Sequence, residues 1–120
     1  AGGSGVTPFR SMIKFILDTR PGTDLWLLYS IRTPDDLIFR DEWIAWAQTY
    51  PSFHFVPTYT RVEGDVPGET GRIGEELLRR HLKLMEGTFF LCGPREFVTD
   101  MERVLVNLNV PAPRIRRESW

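Results

Sequence analysis

Apolar residues first recur at helical spacing between Pro8 and Asp18, where Phe9, Met12, Ile13, Ile16 and Leu17 mark one face and Arg20-Pro21-Gly22 ends the run. That spacing predicts a first helix. The period then collapses: Leu25-Trp26-Leu27-Leu28-Tyr29-Ser30 is nearly continuous apolar, as in a strand covered on both faces of a parallel sheet. Thr33-Pro34-Asp35-Asp36 predicts the cap of a second helix carrying Leu37, Phe39, Trp43, Ile44 and Ala47. Phe53 to Thr60 predicts another strand, and Pro57, which has no N–H for a ladder, argues for an edge position or an early end. Val62 to Gly71 is polar with Gly and Pro, which predicts a surface loop. Ile73, Leu77, Leu84 and Met85 predict a third helix, Thr88 to Cys92 a short buried strand, and Phe97, Met101, Val104, Leu105 and Leu108 a fourth helix. Arg114 to Trp120 predicts a last strand.

Strand and helix alternate throughout, so the expected fold is α/β: an open parallel five-stranded sheet with helices on both faces. Its expected order is 3-2-1-4-5, with the first strand preceding Ala1 and largely missing from this sequence. The chain opens in mid-motif and is expected to be a fragment or one part of a larger polypeptide, residues 1–120 forming a single domain. Two strand-to-helix turns then carry the candidate chemistry. Ala1-Gly2-Gly3-Ser4-Gly5-Val6-Thr7-Pro8 is a glycine-rich turn before a helix, with Thr7 able to cap it and Pro8 suited to its first position. Backbone N–H groups at such a turn suit a pyrophosphate. Leu91-Cys92-Gly93-Pro94 is the second turn. In the expected order the two turns flank the switch point of the sheet, with Gly3 to Thr7 opposite Cys92 to Pro94, where one dinucleotide could touch both.

Composition narrows the partners. The 120 residues carry a net charge of -1, so nothing general attracts nucleic acid or acidic membranes. No apolar run approaches ~20 residues, so no membrane span is expected. The single cysteine excludes an internal disulfide framework and a cysteine-rich zinc or iron–sulfur site, no metal site is expected, and a cytoplasmic setting fits. Neither histidine has a spacing that ties it to Cys92, so no covalent nucleophile is expected. His54 reads as a core or edge residue and His81 as a solvated one. Arg114, Arg116 and Arg117 read as the solvated side of an edge strand.

Gly2-Gly3-Ser4-Gly5-Val6-Thr7-Pro8, Tyr29-Ser30-Ile31-Arg32 before a helix, Thr60-Arg61, Gly71-Arg72-Ile73, Cys92-Gly93-Pro94 and the ending Glu118-Ser119-Trp120 occur in an order that resembles the NAD(P)H-binding half of the ferredoxin-NADP reductase family. The resemblance covers essentially the whole chain. It implies a Rossmann-like NAD(P)H-binding domain that follows a flavin-binding barrel, itself not encoded here. It implies that Gly3, Gly5 and Thr7 hold the pyrophosphate and the nicotinamide side, with Gly93 and Pro94 on the facing turn. Cys92 and Glu118 would border the nicotinamide, and Trp120 would cover the flavin ring until the nicotinamide displaces it. Arg32, Thr60, Arg61 and Arg72 match positions at the adenosine end. An arginine at position 32, where NAD-preferring domains commonly carry an acid, implies NADPH ahead of NADH, with Asp35 and Asp36 close by. The implied function is a nicotinamide-binding module of a flavin-dependent oxidoreductase. It would present NADPH (or NADH) to FAD or FMN on a flavin-binding domain or chain, with ferredoxin or a fused iron–sulfur domain as acceptor. The basic cluster at Arg114 to Arg117 has docking of an acidic ferredoxin as its alternative reading. A non-catalytic nucleotide-binding or scaffold domain within a larger complex is the alternative for the whole chain.

Overall fold

The computed structural model describes residues 1–61, 69–81 and 86–119. In chain order these form α1 (Thr7–Thr19), β1 (Leu25–Ile31), α2 (Arg40–Thr49), β2 (Phe53–Tyr59), β3 (Glu69–Thr70), α3 (Glu75–His81), β4 (Phe89–Gly93), α4 (Arg95–Asn107) and β5 (Ile115–Ser119), with short 3-10 turns at Gly3–Val6, Pro34–Asp36 and Ala112–Arg114. All ladders are parallel: β1 pairs with β2 and β2 with β3, while β4 pairs with β5. The fold is α/β.

Two-residue alternation along β1 sorts its side chains onto two faces. Leu27, Tyr29 and Ile31 join Phe9, Ile13 and Trp43 in one core, whereas Leu28 packs against the other, built on Leu77, Leu78, Val98, Met101 and Leu105. Both faces of the sheet are thus covered, which is why β1 reads as continuous apolar rather than alternating.

Ala1 and Gly2 lie between the two ladders and bond to both. The Ala1 amine donates to the Leu28 carbonyl at 2.6 Å, Ser30 N–H donates to the Ala1 carbonyl at 2.8 Å, and Gly2 N–H donates to the Cys92 carbonyl at 3.0 Å. Below this bridge a cavity of about 400 Å³ runs between β1 and β4, with Leu25, Leu27, Phe89 and Leu91 among its lining residues. Burial holds the Ala1 amine down at about 5.

Four sequence expectations are corrected here. Thr33 and Asp36 do form a cap, with the Thr33 N–H and hydroxyl each donating to Asp36 Oδ2 at 3.2 Å, but it closes the Pro34–Asp36 turn. Helix α2 begins only at Arg40, so Leu37 and Phe39 precede it. The loop expected from Val62 to Gly71 contains β3 at its end, residues 62–68 lying outside the described residues. Thr58 and Tyr59 pair with β3, so β2 is an edge strand only before them. Thr60 N–H reaches β1 at the Ile31 carbonyl, so the ladder alternation turns the donor-less Pro57 nitrogen away from β1. Ile73 precedes α3, and the expected Leu84 and Met85 fall outside the described residues.

Helix α4 ends in a Schellman motif: Val110 N–H donates to the Leu105 carbonyl and Asn109 N–H to the Val106 carbonyl, each at 3.0 Å, with Asn109 at φ 67°. Glycine tolerates that conformation better, so Asn109→Gly should stabilise the chain by about 1 kcal/mol in urea unfolding. A loss of stability would show that the asparagine side chain matters there.

Candidate functional site

Gly3–Val6 forms a 3-10 turn that runs directly into α1, and Thr7 N–H donates to the Ser4 carbonyl. Thr7 is therefore the first residue of α1 and not its cap; the turn already supplies a carbonyl where a capping side chain would have been needed. Pro8 does stand in the first turn. Neither the turn nor the start of α1 carries an acidic residue, so the positive end of the helix faces no anion of its own.

Gly5 decides how closely the two turns approach. A Cβ there would stand 2.4 Å from the Cys92 carbonyl oxygen and 2.6 Å from Gly93 Cα, so only hydrogen fits. Gly3, at φ 52°, has the opposite surroundings: nothing lies within 4 Å of a Cβ built on it. One glycine is packed against the second turn while the other faces open space. That open face belongs to a cavity of about 420 Å³ at the carboxyl ends of β1 and β4.

Of the sequence-derived candidates, Gly3, Arg32, Thr60, Arg72 and Pro94 line this cavity. Gly5, Cys92 and Gly93 are buried behind its wall, and Thr7 is exposed outside the lining. Arg61 is also outside it, held by its N–H to the Arg32 carbonyl at 2.9 Å. Glu118 is exposed on β5, in register with Cys92, and Trp120 lies outside the described residues. Sequence reasoning missed Ser4, Ile38, Glu96, Phe97 and Asp100 as lining residues, and gave Asp36 a capping role and a place near Arg32 without making it a site residue. Phe97 had a readable signal, since the first turn of a helix after Pro94 necessarily faces the same sheet edge. Its ring packs over both glycines of the crossing, 2.9 Å from a Cβ on Gly2 and 2.8 Å from one on Gly93.

The electrostatics of the rim differ from the expected cluster of three arginines. Arg32 Nε lies 3.6 Å from Asp36 Oδ2, so this cation is already paired. Asp36, Glu96 and Asp100 all line the cavity, against Arg32 and Arg72. Asp100 in turn pairs with Arg103 at 3.4 Å. Burial, with Glu118 nearby, pushes the Cys92 thiol up, so it stays protonated at neutral pH and acts by shape rather than as a nucleophile. His54 is held by stacking on Trp26, ring centroids 4.1 Å apart, and by Asp24 at 3.2 Å.

Residues 1–103 match the family described as the oxidoreductase NAD-binding domain. The chain belongs to this family. It is 36% identical over 110 residues to NADH oxidoreductase HCR of Escherichia coli K12, a match covering 92% of this chain and 32% of that protein. The cytochrome b5 reductase domain of Ulva prolifera nitrate reductase superposes with a TM-score of 0.88 at 27% identity, over 98% of this chain and 47% of that one. A ferredoxin NADP+ reductase from Neisseria gonorrhoeae, with bound FAD and NADP, superposes with a TM-score of 0.73 at 29% identity, over 98% of this chain and 53% of that one. The resemblance read from the motifs is borne out: the chain is an NAD-binding domain of the ferredoxin reductase type. It spans about a third or less of the length of the curated relatives it matches. No helix among the described residues is long and apolar enough to cross a membrane.

Proposed function

We propose that this chain is the nicotinamide-dinucleotide module of a flavin-dependent oxidoreductase, acting with a flavin-binding domain or chain, and with ferredoxin or an iron–sulfur domain as acceptor. The observation that carries the reading is the crossing of the two turns, with Gly5 seated on the Cys92 carbonyl and Gly3 facing the 420 Å³ cavity. Backbone N–H groups of the Gly3–Val6 turn and the dipole of α1 would hold the pyrophosphate. Thr60, Arg72 and Asp36 would hold the adenosine half, and Pro94 with Cys92 behind it would shape the nicotinamide half, Glu118 bordering it. The nicotinamide supplies the hydride that the flavin receives. Binding and orientation are this chain's share. Membership in an oxidoreductase family weighs against a purely structural domain.

The same reading completes the sheet. A strand joined to Ala1 would run through the 400 Å³ cavity between β1 and β4, giving the order 3-2-1-4-5 when it is counted first, with β3 as an added edge. Residues 1–120 are then one NAD(P)H-binding domain of a longer polypeptide.

For the coenzyme, the rim favours NADH. Three lining carboxylates face two arginines, Arg32 is paired with Asp36, and Arg61 stands outside the cavity. A 2′-phosphate would meet Asp36, whereas a ribose diol could donate to it. Asp36→Ala should weaken NADH about tenfold in calorimetric titration, the scale of a charge-assisted hydrogen bond, while NADPH is unchanged or tightened. Equal losses for both coenzymes would remove Asp36 from the ribose site, and no binding of either by the unaltered chain would defeat the functional reading.

A further inference from the structure

Ile38 is part of the cavity wall, and two fully buried aromatic residues spend their polar atoms on its backbone, one on each of the two peptide bonds that flank its Cα. Trp43 Nε1 donates to the Ile38 carbonyl at 2.7 Å, and the Ile38 N–H donates to the Tyr29 hydroxyl at 3.4 Å. Tyr29 and Trp43 are both 0% exposed. They come from different elements, β1 and α2, so the backbone on both sides of Ile38 is fixed from the sheet and from the following helix together. The next residue, Phe39, sits at φ 61° and ψ 29°, a left-handed conformation that a bulky residue adopts only when its surroundings over-determine it. Those surroundings are visible. Trp43 N–H bonds the Phe39 carbonyl at 3.1 Å, the Trp43 ring meets the Phe39 ring edge-on at 6.1 Å, and the Arg10 guanidinium lies 5.2 Å from the centre of the Phe39 ring while Arg10 Nε bonds Glu42 at 2.8 Å.

Packing alone does not require this convergence, because an apolar pair of similar volume would fill the same core without holding a peptide. What it achieves is a rigid Ile38 beside Asp36 on the cavity wall. From this we infer that Tyr29 and Trp43 are positioning residues for dinucleotide binding: they hold the backbone at Ile38, and with it the Ile38 side chain, as a fixed apolar wall for the adenosine half, and act through Ile38 rather than by touching the ligand. The inference rests on the dinucleotide reading of this cavity. Arg10 extends the arrangement to α1, the helix that starts at the glycine turn, so the pyrophosphate end and the adenosine wall share one support.

The two halves of the ligand provide the test. The full chain is titrated with NAD+, AMP and nicotinamide mononucleotide in three forms: unaltered, Trp43→Phe, and Trp46→Phe. Trp46 neighbours Trp43 at 5.3 Å on the same helix and does not line the cavity, so it reports generic loss of aromatic packing. Trp43→Phe leaves the Ile38 carbonyl without its indole donor and should loosen AMP and NAD+ about tenfold with nicotinamide mononucleotide unchanged. Trp46→Phe should leave all three unchanged. AMP binding unaffected by Trp43→Phe, or loosened equally by Trp46→Phe, overturns the inference while leaving the functional reading intact. Failure of the unaltered chain to bind NAD+ or AMP overturns the functional reading itself. Should Trp43→Phe not fold, Tyr29→Phe, which removes one hydroxyl and keeps the ring, carries the same comparison: a selective loss for AMP supports the wall, and no loss for AMP refutes it.

Discussion

In the 1–120 chain prepared with a free amine at Ala1, lowering the pH from 8 to 5 should strip up to about 4 kcal/mol of stability through that single group. The amine is held at about 5 in the folded state against an ordinary value of 8.0, because it is buried at the junction of the two ladders. Above pH 8 it is neutral in both states and has no effect. Between 8 and 5 the unfolded chain binds the proton and the folded chain does not, so stability falls as pH falls; below 5 both are protonated and the full penalty is in place. With a residue joined ahead of Ala1 the same nitrogen would be an amide N–H, able to donate to the Leu28 carbonyl without charge. Nα-acetylation, or extension by a short apolar strand, should therefore abolish this part of the pH dependence. Urea unfolding of the free and acetylated chains at pH 5 and pH 8 measures it. Identical pH slopes for the two would show that the amine leaves its buried position at little cost.

The second large effect is expected at Gly5. The atoms that a Cβ would strike are all backbone: the Cys92 carbonyl carbon at 2.6 Å, its oxygen at 2.4 Å, and Gly93 Cα at 2.6 Å. No side chain can rotate away, so Gly5→Ala must separate the two turns. A loss of about 3 kcal/mol, at the upper end for overpacking, should accompany loss of dinucleotide binding. Gly3→Ala is the informative comparison. Its cost is only the left-handed backbone, of order 1 kcal/mol, because nothing lies within 4 Å. Thermal unfolding of both variants should rank Gly5→Ala well below Gly3→Ala. The reverse order would mean that the crossing of the turns is not tightly packed.

The parts of this molecule legible in the sequence are those set by near neighbours along the chain. The apolar period of α1, the continuous run of β1 and the amphipathic pattern of α4 each follow from which side chains one turn or one pleat brings together, and each element was found within a residue or two of its expected bounds. Pro57 signalled an edge strand, but β2 lies between β1 and β3, and the two-residue β3 closes the end of the ladder at Thr58 and Tyr59. Thr33 and Asp36 were rightly read as a cap, but a cap reports only that some helical turn begins. The positive φ of Phe39, imposed by the packing of Arg10 and Trp43, delays the helix to Arg40, and no local pattern carries that information.

Residue types and turn chemistry also sufficed to single out Gly3, Arg32, Thr60, Arg72 and Pro94, since all lie at strand ends or helix starts on one sheet edge. What they could not determine is charge balance and depth. Asp36 meets Arg32 four residues away by local geometry, but Glu96 and Asp100 come from α4, and only the tertiary arrangement brings them and Arg72 around the same cavity. Likewise Cys92 and Gly5, 87 positions apart in the chain, meet as one contact only because Gly2 bonds the Cys92 carbonyl and fixes the turn upon it. Periodicity and turn chemistry act over a few residues and are written locally. Distance, burial and the sign of the field at a site sum over groups remote in the chain, so they exist only once the chain has folded.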